Sequence, residues 1–148
     1  MKVLIREFPV AVRNFRSIKA WQLADDLVVA IYDATESFPR EERYGLTSQM
    51  RRASVSVPAN IAEGATRRWP KEYIQFLYIA KASLTEIEYY LHLAHRLNYL
   101  TGAKHEKLIQ LHGNTARTLH GLLSAVCRNQ RNGEPAFQSK TYVSSLVS

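Results

Sequence analysis

The chain has 148 residues, 46% hydrophobic and 22% charged, a balance that excludes disordered and fibrous classes and suits one domain with a real core. No apolar run approaches the roughly 18 residues a membrane span needs, and Arg6 and Glu7 interrupt the apolar stretch from Val3 to Ile5 where a signal peptide would continue. A single cysteine, Cys127, excludes an internal disulfide; with the missing signal it points to a cytoplasmic protein with no membrane partner.

The net charge of +7 falls in blocks. Residues 1–19 carry five Lys/Arg against one Glu, residues 20–39 carry four acidic groups and no base, and residues 40–71 carry seven bases against three Glu. Blocks of this kind suit a subunit contact between opposite faces, attraction of a polyanion, or simply solvated helix faces.

Four helices are predicted, and no strand in the body of the chain. The first runs from about Ser17 to Ser37, with Trp21, Ala24, Leu27, Val28, Ile31 and Ala34 on one face, Ser17 as its N-cap and Phe38-Pro39 as its stop. A compact turn through Arg40–Gly45 leads to the second, whose stripe is Leu46, Met50, Ala53, Val57 and Ile61. Val55, Ala59 and Ala62 form a second stripe nearly opposite, so this helix needs two partners, one of which is another helix of the bundle or another subunit. Between the stripes lie Arg52, Ser56, Asn60 and Glu63. Pro58 lacks the donor for the carbonyl of Ser54, so the helix either breaks, with Asn60 capping a new one, or continues with a kink. Gly64 follows too soon for a new helix, and we read a kinked helix with Gly64 as its C-terminal stop. Ser56, Pro58, Asn60 and Glu63 are accordingly read as a helix-packing or interface motif.

Pro70 opens the third helix, with Tyr73, Leu77, Ala80, Leu84, Ile87, Leu91 and Ala94 along its seam. Thr101 caps the fourth, whose stripe is Leu108, Leu111, Thr115, Leu119, Leu122 and Val126. Short connections predict an antiparallel up-and-down four-helix bundle over residues 15–130, with an N-terminal extension at 1–14 and a mobile tail at 131–148.

Catalytic signals are weak. Glu88, His92 and His95 form E-x-x-x-H-x-x-H, yet no acid stands three before a histidine as in carboxylate-bridged bundles, so these histidines read as solvent-facing or interface groups. His105, His112 and His120 follow one flank of the last helix and border the core, and Cys127 reads as a packing residue. No phosphate loop or nucleophile elbow occurs. A non-enzyme with no cofactor and no bound metal is expected.

WQLADDLV, FPREERYGLTSQMRRASVSVPANIAEG and YIQFLYIAKASLTEIEYYL, in this order, strongly resemble the four-helix bundle family named for proteins encoded in intervening sequences of bacterial 23S ribosomal RNA genes. The likeness spans Phe15 to about Val126; Arg67, Arg68 and Tyr73 match its basic and aromatic positions after the glycine. The resemblance implies a cytoplasmic bacterial protein assembled as a closed homo-oligomeric ring, with pentamers known among relatives, and a poorly defined function often suggested to be nucleic-acid binding.

Two functions fit the residues. Arg40, Arg43, Arg51, Arg52, Arg67, Arg68 and Lys71 could pair with phosphates of RNA or DNA while Trp69 or Tyr73 stacks on an unpaired base. Alternatively the protein is an oligomeric scaffold or accessory subunit that binds another protein, its arginines pairing with the acidic first helix of a neighbour.

Overall fold

The computed structural model describes residues 14–133, which hold four helices and no strand: α1 (Lys19–Thr35), α2 (Leu46–Ala65), α3 (Pro70–Arg96) and α4 (Gly102–Arg131). Single 3-10 turns at Phe15–Ser17 and Arg40–Glu42 precede α1 and α2. Most of the N-terminal extension and of the tail predicted from the sequence lie outside the described residues. No helix among the described residues is long and apolar enough to cross a membrane.

Each helix packs against two others. α2 contacts α1 and α3, α4 contacts α1 and α3, and the diagonal pairs stay apart, so the apolar stripes converge on one core. The stripe of α2 is buried in full, as is that of α3. On α1, Ala24, Leu27, Ile31 and Ala34 are buried while Trp21 and Val28 stay half-buried, Trp21 meeting Phe15 edge-on at 5.1 Å. On α4, His112 and Leu123 are buried where Leu111 and Leu122 were expected, and those two leucines stay half-buried at the edge of the same strip. A buried leucine on such a stripe adds about 1.5–3 kcal/mol of transfer free energy, so the four stripes dominate the stability of the fold.

The helix ends show what the sequence signals do. Thr101 caps α4, its hydroxyl accepting from the Lys104 N–H at 3.3 Å. Ser17 does not cap α1: Ile18 occupies that position, and the side chain of Asn14 caps the preceding 3-10 turn instead, taking the Arg16 N–H at 3.1 Å. The N-cap of α2 is Gly45, which offers no side chain, and the Glu42 carboxylate reaches forward to accept from the Leu46 N–H at 2.8 Å. The same carboxylate accepts from the Tyr99 hydroxyl at 3.2 Å, while Phe38 and Tyr99 pack at 5.4 Å. The α1–α2 and α3–α4 connections therefore meet at one end of the molecule.

Pro58 lies within an unbroken α2, so the helix does not restart at Asn60. Gly64 is not the left-handed stop expected of it. It sits one residue before the end of α2 with ordinary φ, and Thr66 occupies the C-cap. Its purpose is close approach: a Cβ there would stand 2.7 Å from Tyr73 Cδ2 and 2.8 Å from Phe76 Cβ.

Candidate nucleic-acid interface

The polar strip of α2 faces α3. The Ser83 hydroxyl donates to Ser56 Oγ at 2.9 Å, and the Asn60 amide donates to the Ser56 carbonyl at 2.8 Å and to its hydroxyl oxygen at 3.1 Å. Farther along, the Tyr90 hydroxyl donates to Gln49 Oε1 at 2.9 Å. Pro58 is buried, and Glu63 accepts from Arg67 Nη2 at 3.2 Å, the one ion pair among the described residues. Burial, and after it the Glu86 carboxylate, pushes the Tyr90 phenol up from its ordinary value.

The basic residues predicted as one group are distributed over the molecule. α2 has 20 residues and is about 30 Å long, so it holds Arg40 and Arg43 far from Arg67, Arg68 and Lys71. Arg51 turns inward to α1, its Nε donating to Thr35 Oγ1 at 2.9 Å with the guanidinium over the Tyr32 ring at 4.7 Å. That contact fastens α1 to α2 and occupies Arg51. Arg52 is exposed beside a cleft of about 470 Å³ between α2 and α3 that Glu86 and Tyr90 also line. Arg40 and Arg43 are exposed, Arg43 lying 5.8 Å from the centroid of Tyr44, an 89% exposed ring.

The turn between α2 and α3 gathers cations and aromatics most closely. Arg67 is half-buried and stacks on Phe76 at 4.8 Å while holding Glu63. Arg68 lies over the Trp69 ring at 5.1 Å, Trp69 is 51% exposed, and Lys71 projects from the first turn of α3. Tyr73, the other aromatic considered for base stacking, is 0% exposed and belongs to the core. The cause is its place on the α3 seam under Gly64. Arg68 and Lys71 make no ion pair among the described residues.

The histidines divide by position. His112 is buried, with Nε2 2.7 Å from the carbonyl oxygen of Leu84 on α3, which requires the tautomer that donates from Nε2. His95 and His105 stack at 4.1 Å. Burial, then His95 and His92, holds His105 below its ordinary value. No group of three or more His, Cys, Asp or Glu side chains placed to hold a metal occurs among the described residues. Sequence reasoning missed the cations Lys81, Arg128 and Arg131, which line one groove between α3 and α4; 47 positions separate the first two (128 − 81), and only the fold joins them.

The family model for 23S rRNA-intervening sequence proteins matches residues 16–121. Among solved structures, the chain is similar to a protein of unknown function from the S23 ribosomal protein family of Bacteroides thetaiotaomicron, with a TM-score of 0.65 and 22% identity over 71% of this chain and 95% of that one. No curated protein matches the chain.

Proposed function

The chain belongs to the 23S rRNA-intervening sequence protein family, and from that premise we propose that it is a non-catalytic, cytoplasmic homo-oligomer that binds single-stranded nucleic acid at the α2–α3 turn. The observation that carries this reading is Trp69, half exposed under the Arg68 guanidinium and two positions from Lys71, with neither cation held by a carboxylate among the described residues. Unpaired cations next to an accessible aromatic face suit a phosphate backbone with splayed bases. Arg67 contributes less charge than its neighbours because Glu63 is paired with it. Binding of labelled oligonucleotides at two salt concentrations tests the proposal.

The assembly we propose is an antiparallel up-and-down bundle closed into a ring, five-fold as the family resemblance implies. Three contacts support opposite directions for α2 and α3: Gln49 with Tyr90, Ser56 with Ser83, and Gly64 with Tyr73. Residue numbers rise on one helix as they fall on the other. The second apolar stripe of α2 supports the ring, since Val55 is 43% exposed and Ala59 is exposed in the single chain. That stripe also favours the second reading, an oligomeric scaffold that binds another protein.

A further inference from the structure

Beyond the turn, α3 and α4 enclose a groove of about 410 Å³ whose lining includes Tyr78, Lys81, His120, Cys127, Arg128 and Arg131, and, among the described residues, no carboxylate. Tyr78 is 52% exposed, and the Lys81 ammonium lies 6.0 Å from its ring centroid. The negative end of the α4 dipole accounts for bases in its last turn. It does not account for their lining one groove with a lysine and an exposed tyrosine of another helix. The next carboxylate along this side of α3 is Glu88, two turns beyond Lys81 and beside the smaller adjoining cavity.

Lys71 and Tyr78 are seven positions apart on α3 and so share a face, with Lys81 nearly one turn farther on. From Lys71 to Lys81 the helix rises about 15 Å. The α2–α3 turn and the groove are thus joined by one exposed track with an aromatic ring at each station, Trp69 and then Tyr78.

We propose that a single strand of nucleic acid bound at Trp69 continues along α3 into the α3–α4 groove, where Tyr78 stacks on a second base and Lys81, Arg128 and Arg131 hold its phosphates. This inference rests on the proposed binding at the turn and names the path of the strand beyond it. It also gives the protein a preference for strands long enough to reach both stations.

The test uses the full chain and a fluorescent oligouridylate of about twelve nucleotides. In K81A/R128A the slope of log affinity against log salt should fall by about 1.4, two contacts at about 0.7 each. Y78A should weaken single-strand binding at least several-fold while leaving duplex binding nearly unchanged. Cys127 in the wild type supplies an independent reading, because saturating oligonucleotide should slow its alkylation by iodoacetamide. These substitutions are at the surface, and an unchanged far-UV spectrum checks the fold. Suppose the wild type binds and R67A/R68A weakens it, yet both groove variants keep wild-type affinity and slope and Cys127 reacts at an unchanged rate. The path along α3 is then wrong while binding at the turn stands. Absence of any binding at low salt overturns both.

Discussion

Gly64 and Tyr73 meet so closely across the α2–α3 turn that a single added methyl on the glycine would stand 2.7 Å from the tyrosine ring. The second obstacle is the Cβ of Phe76, at 2.8 Å, which cannot swing aside as a side-chain tip would. Gly64→Ala gains about 1 kcal/mol of helix propensity but overpacks the site by about 1–3 kcal/mol. We expect a lower urea midpoint at unchanged m-value. A raised midpoint would show that the helices part without penalty.

The Ser56–Ser83 bond makes a different prediction. Ser83 is buried, so Ser56→Ala leaves its hydroxyl without that partner, at about 1–3 kcal/mol. Removing both hydroxyls should be less damaging than the sum of the single changes. Strict additivity in a double-mutant cycle would mean the two hydroxyls do not interact.

His105 should make the stability fall on acidification. Burial and the neighbouring His95 and His92 lower its pKa in the folded state, so folding favours the neutral ring. That contribution is complete above the unfolded value near 6.5 and is lost as pH falls through the lower folded value. His105→Gln should therefore lose less thermal stability than the wild type between about pH 7 and pH 5. Parallel melting curves for the two proteins would remove His105 from the acid response.

Assembly is tested on the outer stripe of α2. A carboxylate at Val55, which is 43% exposed in the single chain, should leave helicity intact and break a subunit contact. Light scattering should show an oligomer for the wild type and a smaller species for Val55→Asp. A wild-type monomer at micromolar concentration would end the ring proposal.

The seams of α2 and α3 were legible because apolar residues at three- and four-residue spacing leave only one face to bury. The Pro70 start and the Thr101 cap were legible for similarly local reasons. Gly64 misled, since a glycine near a helix end looks alike in sequence whether it turns the chain or admits a ring; only the packing of Tyr73 and Phe76 separates the two. The site was less legible. Composition grouped Arg40 with Arg68, but the length of α2 separates them, and Arg51 is spent on Thr35 and Tyr32. Arg128 joins Lys81 through tertiary structure, which no local pattern records.

The most direct test of the central claim is fluorescence anisotropy of the wild type, Trp69→Ala and Arg67→Ala/Arg68→Ala with labelled single-stranded RNA, single-stranded DNA and duplex at two salt concentrations. Wild-type binding should fall steeply with salt. Trp69→Ala should lose about 1–3 kcal/mol on single strands and less on duplex, and the double arginine variant should lose affinity across all sequences. No wild-type binding to any of the three at low salt would contradict the claim and leave the scaffold reading in its place.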